Sequence, residues 1–119
     1  MDCKVGKIYN RGHLIFIYDT DRYRTSLKTG RLLDVCENLK RTNKNVCVSL
    51  TAIVKYNLRP GEMVELVKLK PGRIFSYKKK YFIVEECQFV VRLNDGAVLR
   101  NFKLPNNAKV RTYKKNFNF

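Results

Sequence analysis

The sequence predicts a mainly β fold, in which a small closed barrel of strands carries a short helix. The clearest evidence is the stretch 45–66, NVCVSLTAIVKYNLRPGEMVEL, which has the pattern of a strand, a helix, a turn and a second strand. Apolar residues recur at helical spacing behind Ser49, a residue that can cap the first free amides of a helix. Pro60-Gly61 is expected to turn the chain, and a strand-like alternation of apolar and polar residues follows it. This order of elements is typical of the middle of a small barrel, and Ile53 and Val64 are predicted to be buried at its base.

Size and composition indicate one domain with a strongly basic surface. A chain of 119 residues has the usual size of a compact domain, and a hydrophobic content of 45% is enough for a core. The 25 Lys and Arg residues outnumber the 10 Asp and Glu residues and leave a net charge of +15. Such an excess predicts a polyanionic partner, with nucleic acid first and an anionic membrane surface second. The remaining alternative is charge that is spread evenly without any polyanionic partner.

The sequence contains no feature that predicts a membrane-spanning segment or a cofactor. No apolar run is long enough to span a membrane, and the first residues, MDCKVGK, match neither a signal peptide nor a lipidation motif. We therefore expect a soluble intracellular protein, cytoplasmic or nuclear. Cys3, Cys36, Cys47 and Cys87 lack paired C-x-x-C spacing, so neither a zinc site nor a disulfide is expected. The last three lie among apolar residues and are predicted to be reduced and buried. Frequent Lys and Asn indicate an AT-rich genome, such as that of a virus or a parasite.

The N-terminal part predicts two strands joined by a turn. Residues 5–9 have the composition of a short strand, 10–12 that of a turn, and 13–18 that of a strongly β-prone strand. Side chains alternate along a strand, so His13 and Phe16 face opposite ways. Phe16 is predicted to lie in the core. For His13, stacking on a base and an ordinary surface position both stay open.

Residues 19–44 form a long connection with two compatible interpretations. The part 19–29 is polar and rich in turn residues, with a further strand around Tyr23 as an option, and 30–39 has apolar residues on one helical face. In the first interpretation, the predicted helix plugs one end of the barrel. In the second, the segment forms a basic rim beside a ligand groove, made of Arg22, Tyr23, Arg24 and Arg31.

The third quarter of the chain predicts a basic loop between two strands. Residues 63–69 predict a strand that ends at a turn, Lys70-Pro71-Gly72, and 81–91 predict one long strand around Glu85-Glu86. Between them, 73–80 carries cations and aromatic rings without any acid, which predicts a mobile basic loop. Cations suit phosphates, and an aromatic ring that stacks on a base contributes about 1–3 kcal/mol. These properties favour a ligand-binding loop over a solvated hairpin tip.

The last quarter predicts a hairpin and a basic tail. Asn94-Asp95-Gly96 is a strong hairpin turn signal between strands at 89–93 and 97–102. The tail 109–119 alternates cations with aromatic residues. A disordered basic arm that orders on nucleic acid and a last strand laid on the barrel are both consistent with this pattern.

Two segments resemble strands of a known family. Residues 45–53, NVCVSLTAI, followed by LRPGEMV at 58–64, are similar to the third strand of cold-shock domains and of the RNA-binding domain of the transcription terminator Rho, which reads roughly D-V-F-V-H-x-S-A-I. Residues 11–17, RGHLIFI, are similar to the second strand of a cold-shock domain, K-G-F-G-F-I. Both kinds of domain are oligonucleotide-binding (OB) barrels.

The resemblance implies a five-stranded OB-type barrel over residues 1–108, with a short helical insert at 19–44, an extra C-terminal β-hairpin, and a basic aromatic tail at 109–119. It also implies binding of single-stranded RNA or DNA through backbone electrostatics and stacking, with little sequence preference. Tyr77 and Tyr81 are the rings best placed to stack, with an inward orientation toward the core left open for Tyr81, which begins a strand. The residues expected to bind nucleic acid are Arg11, His13, Arg22, Tyr23, Arg24, Arg73, Tyr77, Lys78, Lys79, Lys80, Tyr81, Lys114 and Lys115.

Other functions stay open beside this one. Val46-Cys47-Val48-Ser49 stands where the family has V-F-V-H, so the stacking Phe and His of the family are absent. This favours the alternative of an OB-type module whose basic face docks on an acidic protein partner in a transcription, replication or viral assembly. An enzyme is not expected, because the chain has one histidine and its glycines are isolated. The weakest alternative is a metal-dependent nuclease that uses Asp19 and Asp21. The oligomeric state is left open.

Overall fold

The computed structural model describes residues 5–10, 14–18, 23–33, 46–86, 89–99 and 108–116. In this part of the chain the fold is mainly β, as the sequence predicts, with eleven strands, one α-helix and one short 3-10 helix. The strands form two sheets, and every pairing within them is antiparallel.

The first sheet is built from the N-terminal part of the chain. Its strands are β1 (Ile8–Asn10), β2 (Leu14–Tyr18), β3 (Tyr23–Ser26), β4 (Leu32–Leu33) and β5 (Val46–Val48). Their order in the sheet is β4-β3-β2-β1-β5. The first four strands therefore form a meander, and β5 joins it beside β1, where Val48 lies opposite Ile8.

The second sheet is built from the rest of the chain. Its strands are β6 (Leu58–Glu65), β7 (Ile74–Tyr77), β8 (Lys80–Val84), β9 (Val90–Arg92), β10 (Val98–Leu99) and β11 (Lys109–Lys115). Their order is β10-β9-β8-β7-β11-β6. The segment from Lys109, for which the sequence leaves an arm and a strand as alternatives, is thus a strand inside this sheet.

Helix α1 (Leu50–Asn57) connects the two sheets. The Ser49 hydroxyl accepts a hydrogen bond from the amide of Ala52 at 3.1 Å, so Ser49 caps the helix as its position in the sequence predicts. Ile53 is 1% exposed and packs in the core, which confirms the prediction for this residue. The 3-10 helix, Leu66–Lys68, follows β6.

The main core lies between the two sheets and α1. Alternation along the strands turns Ile8, Phe16 and Tyr18 of the first sheet toward Ile74 and Ile83 of the second, and all five are buried together. The prediction that Phe16 is a core residue is therefore confirmed. The predicted burial of Cys47 is wrong, because this cysteine is exposed on β5 with a free thiol.

The second sheet is apolar on its outer face as well, the face turned away from the first sheet. Phe75 and Phe82 lie opposite each other on β7 and β8 with ring centroids 5.1 Å apart, and Val84 and Val110 are buried beside them. Val64, predicted to be buried at the base of the barrel, is only partly buried on this face.

The described strands do not form the five-stranded closed barrel that the resemblance implies, because neither sheet closes on itself. In a closed barrel, the two outermost strands of a sheet pair with each other. Here β4 and β5 are separate edges of the first sheet, and β10 and β6 are separate edges of the second.

The predicted turn at Pro60-Gly61 is wrong. Both residues lie within β6, and the φ angle of Gly61 is not positive. The pairing of β6 with β11 shifts register between Arg111 and Tyr113, so β6 has one extra residue opposite Thr112. Because β6 is an edge strand of the described sheet, the missing amide N–H of Pro60 is tolerated there.

Two further predicted elements have other structures. The helix predicted at 30–39 is wrong at its start, since Leu32–Leu33 is a strand paired with β3; residues 34–39 lie outside the described residues. The long strand predicted at 81–91 is instead the hairpin of β8 and β9, in which Val84 lies opposite Val90. The turn between β9 and β10 is confirmed, with Gly96 at φ +80°.

Candidate nucleic-acid interface

Three of the predicted site residues, Arg11, His13 and Arg22, lie outside the described residues, and so do Asp19 and Asp21 of the nuclease alternative. Tyr23 begins β3, where it pairs with Tyr18. The structure places the other predicted residues at several separate locations.

Arg24 does not lie on the surface. It occupies β3 opposite Ile17 and is 7% exposed, so the prediction that it belongs to an accessible basic rim is wrong. An arginine whose side chain is buried to this degree does not offer its charge to a phosphate chain without local opening of the fold.

Lys115 is also turned inward. Its ammonium donates hydrogen bonds to the backbone carbonyl oxygens of Leu27 at 2.9 Å, Lys28 at 2.6 Å and Gly72 at 2.5 Å. Burial lowers the pKa of Lys115 to about 8, and the nearby charge of Arg73 acts in the same direction. These contacts use the donors of Lys115 to join the two sheets, so this side chain is not part of an exposed basic surface.

Arg73 and Lys114 belong to a row of three cations on the outer face of the second sheet. Lys114 on β11 lies opposite Arg59 on β6. On the other side of β11, Tyr113 pairs with Ile74, so continuing the register by one residue brings Arg73 next to Lys114. All three residues are exposed, and no ion pair joins any of them to another described residue. We call this group the cationic row.

A small pocket adjoins the cationic row on the same face. Its volume is about 200 Å³, and it is lined by Val64, Lys68, Leu69, Lys70 and Arg73. Lys68 is 3.8 Å from a carboxylate oxygen of Glu65, and both side chains are accessible to solvent. Three cations therefore line a cavity whose other lining residues, Val64 and Leu69, are apolar.

The loop predicted at 73–80 is a tight hairpin rather than a mobile loop. Ile74–Tyr77 is strand β7, Tyr77 lies opposite Lys80, and only Lys78 and Lys79 form the turn. Their φ angles are +50° and +67°, the signs of a type I′ turn, which usually contains Asn-Gly. Lys78, Lys79 and Lys80 are all exposed, and we call them the basic tip.

Tyr77 and Tyr81 lie on opposite faces of the second sheet. Tyr77 is on the outer face, and the Lys78 ammonium is 5.4 Å from the centroid of its ring. Tyr81 packs against the main core and lies 5.5 Å from the ring of Tyr113. Partial burial and the hydrogen bond to Tyr113 raise the pKa of Tyr81. The two rings therefore cannot line one stacking surface, and the prediction that they do so is wrong.

The inner tyrosine borders a second, mainly apolar groove of about 310 Å³, lined by Leu50, Thr51, Val54, Lys55, Tyr81 and Asn94. Nearby, Tyr56 is 69% exposed, and the Lys55 ammonium lies 5.2 Å from its ring centroid. Tyr56 is the most exposed of the large apolar side chains in the described part of the chain.

Arg59, Lys68 and Lys70 are surface cations of this site that were not predicted from the sequence. For two of them the sequence does contain a signal of exposure, since Arg59 precedes Pro60-Gly61 and Lys70 precedes Pro71-Gly72. Charged residues beside Pro-Gly are usually exposed, whether the dipeptide forms a turn or lies at a sheet edge.

The two glutamates that follow β8 serve structural contacts. Glu85 is 1% exposed and accepts a hydrogen bond from the Tyr18 hydroxyl at 2.9 Å, and Glu86 accepts one from the amide of Leu32 at 2.6 Å. Among the described residues, no group of three or more His, Cys, Asp or Glu side chains is arranged to hold a metal ion. No helix in the same residues has the length and apolar character that crossing a membrane requires.

Comparison of the chain with models of protein families, with curated proteins and with solved structures gave no match. The function of the candidate site therefore has to be inferred from its own geometry and charge.

Proposed function

We propose that this protein binds single-stranded nucleic acid, RNA or DNA, on the outer face of its second sheet. The observation that carries the proposal is the cationic row of Arg59, Lys114 and Arg73 on adjacent strands, without an ion pair to any described acid. Like charges directly opposite each other destabilise a sheet. An anionic partner that binds across the strands removes this repulsion.

The basic tip extends the same surface. Strand β7 occupies the positions between Arg73 and Lys78, so the two residues lie near its opposite ends. At about 3.4 Å per residue, the cationic row and the basic tip are about 17 Å apart along the strand. A strand of several nucleotides that passes over the residues covering the buried Phe75 can contact both groups, whereas a compact anion contacts one of them.

Tyr77 favours a single strand over a duplex. Its ring lies on the outer face between the two groups of cations, and it is partly exposed. An aromatic ring stacks on any base that is not already stacked in a helix, without regard to sequence. Binding of this kind depends on the surface alone and does not require an OB-type barrel.

The test compares the binding of fluorescent single-stranded RNA, single-stranded DNA and duplex at two salt concentrations. For the parent we expect salt-dependent binding that is tighter for single strands. In the double variant Arg59→Gln, Lys114→Gln, the slope of log K against log salt should fall by about 0.7 for each phosphate that the variant no longer neutralises. The matched control is Lys7→Gln, Lys55→Gln, which removes the same charge from exposed positions on β1's N-terminal side and on α1, outside the cationic row and the basic tip.

Two results would contradict the proposal. One is an equal change of slope in both double variants, since the charge would then act without regard to its position. The other is weak binding of all three probes by the parent. That second result would favour the alternative in which the basic face docks on an acidic protein partner.

A further inference from the structure

We propose that the pocket beside the cationic row binds the terminal phosphate of the nucleic acid strand, a phosphomonoester at its 5′ or 3′ end. This inference rests on the proposed function and names the part of the strand that the site recognises. The pocket is the one lined by Val64, Lys68, Leu69, Lys70 and Arg73.

The backbone that carries two of the pocket's cations is fixed before any ligand binds. Lys70 and Arg73 are the first and fourth residues of a turn that is closed by a hydrogen bond from the Arg73 amide to the Lys70 carbonyl at 3.1 Å. Pro71 follows Lys70 and Gly72 has φ +90°, which identifies a type II turn. The Cα atoms of Lys70 and Arg73 are therefore less than about 7 Å apart.

The turn itself is fixed against the rest of the molecule. A Cβ atom on Gly72 would lie 2.8 Å from the carbonyl oxygen of Thr29, so the backbones of the two sheets are in direct contact here. The Lys115 ammonium donates to the Gly72 carbonyl at 2.5 Å. A site whose backbone is already ordered loses less conformational entropy when an anion binds.

The local charge favours a doubly charged ligand. Lys68, Lys70 and Arg73 line the pocket, and the carboxylate of Glu65 lies 3.8 Å from Lys68. Arg73 also belongs to the cationic row, which adds two cations on the neighbouring strands. A phosphodiester within a chain carries one negative charge, whereas a phosphomonoester carries about −1.5 to −2 at pH 7. A terminal phosphate therefore matches this concentration of cations better than an internal one.

The size of the pocket favours the end of a strand. Its volume of about 200 Å³ is below the roughly 300–1,000 Å³ of pockets that hold a drug-sized ligand. It has room for one phosphate group with part of its sugar, which Val64 and Leu69 can contact through their apolar surfaces. Several nucleotides do not fit inside it.

The experiment compares short single strands of one sequence that differ only at their ends: 5′-phosphate or 5′-hydroxyl, and 3′-phosphate or 3′-hydroxyl, with the fluorescent label at the opposite end. Each exposed contact between a cation and the terminal phosphate should raise affinity by a factor of about 1.4 to 5. With three such contacts, we expect one phosphorylated strand to bind about tenfold more tightly than its unphosphorylated counterpart. The end that shows this preference is the end that the pocket holds.

Substitutions in the pocket test whether it is the site that binds the terminal phosphate. Lys70→Gln and, separately, Lys68→Gln should each reduce the preference for the phosphorylated end. Both side chains are exposed, so we expect the fold to be retained. The matched control is Lys55→Gln, an exposed lysine on α1 outside the pocket, which should keep the full preference.

Equal affinity for phosphorylated and unphosphorylated ends, with tight binding of both, would overturn this inference and leave the proposed function standing. A preference that survives in both Lys68→Gln and Lys70→Gln would overturn it as well, because the phosphate would then bind elsewhere. Failure to bind any of the four strands would overturn the proposed function, and the inference with it.

Discussion

The ammonium group of Lys115 is held by three backbone carbonyl oxygens, two in the turn after β3 and one at Gly72. A lysine in this position works as a connector between segments distant in sequence. Its burial disfavours the charged form, which is why its pKa falls from 10.5 to about 8.

This pKa predicts a specific dependence of stability on pH. Between about pH 8 and pH 10.5, Lys115 has released its proton in the folded state and still carries it in the unfolded state. Because the unfolded state then binds more protons, this group makes the free energy of unfolding rise with pH. Urea unfolding of the parent and of Lys115→Met should show the parent gaining stability relative to the variant from about pH 8 to pH 10. A constant difference across this range would show that the pKa of Lys115 is not lowered.

The two tyrosines of the predicted stacking surface can be separated by substitution, because they lie on opposite faces. Tyr77→Ala should weaken binding of single strands by roughly 1–3 kcal/mol and leave the salt slope unchanged, since stacking releases no counterions. Tyr81→Ala should leave binding unchanged. Both rings are partly buried, so the comparison uses variants whose melting temperatures are known. Equal decreases of affinity in the two variants would contradict stacking on the outer face.

At the scale of elements, the β7–β8 hairpin carries a backbone conformation that its residues disfavour. Lys78 and Lys79 both have positive φ, a region that costs a residue with a Cβ atom about 1–2 kcal/mol. Asn-Gly is the usual choice for such a turn. Under the proposed function, this strain is retained because the two lysines contact the nucleic acid.

The hairpin therefore predicts a trade-off between stability and affinity. The double variant Lys78→Asn, Lys79→Gly should raise the free energy of unfolding by about 1 kcal/mol or more, because both residues tolerate positive φ. The same variant should bind single strands more weakly and with a shallower salt slope, because it has two fewer cations. Urea unfolding and the fluorescence titration measure the two effects.

The control for this trade-off is Lys78→Gln, Lys79→Gln, which removes the same charge and keeps a Cβ atom at both positions. Its affinity should fall to the same extent without a gain of stability. A gain of stability in both variants would mean that relief of charge repulsion, and not of backbone strain, is responsible.

The two Pro-Gly dipeptides show which elements the sequence can predict. Pro71-Gly72 forms the predicted turn, closed by a local hydrogen bond between Lys70 and Arg73. Pro60-Gly61 has the same local preference but lies within β6, where pairing with β11 decides its conformation. Helix α1 was predictable for the same reason as the turn at Pro71-Gly72. Its cap and its apolar spacing depend only on residues that are close together in the sequence.

The candidate site was predictable in part for a related reason. The exposure of the basic tip could be predicted, because its three lysines are consecutive and no acidic residue lies among them. Whether Arg24 and Lys115 are accessible depends on strand register and on partners far away in the sequence, such as Leu27 for Lys115. The cationic row could not be derived either, since it joins residues on neighbouring segments that only the fold brings together.

At the scale of the whole molecule, two pairs of glycines bring the sheets into backbone contact. A Cβ atom on Gly30 would overlap the amide nitrogen of Gly72, and one on Gly96 would lie 2.9 Å from that of Gly6. Side chains are therefore excluded at both places. The two sheets form one folding unit, because each depends on the other for these contacts and for the shared core.

The division into a domain at 1–108 and a tail at 109–119 can be tested by truncation. In the described part of the second sheet, β6 pairs only with β11, so a fragment of residues 1–108 should lack the partner of its longest strand. We expect this fragment to unfold without a cooperative transition in urea, whereas a fragment of residues 1–116 should unfold like the parent. A cooperative transition of 1–108 at the parental midpoint would show that β11 is dispensable for the fold.

The place of β11 between β6 and β7 also has a consequence for the time at which the protein can fold during synthesis. From the end of β7 to the end of β11 the ribosome adds 115 − 77 = 38 residues. At about 5–20 residues per second, this takes about 2–8 s. During this interval the facing edges of β6 and β7 lack the strand that separates them, and they are open to pairing with other chains. Pro60, which has no amide N–H to donate, and the charged Arg59 beside it make β6 a poor template for such pairing until β11 has been synthesised.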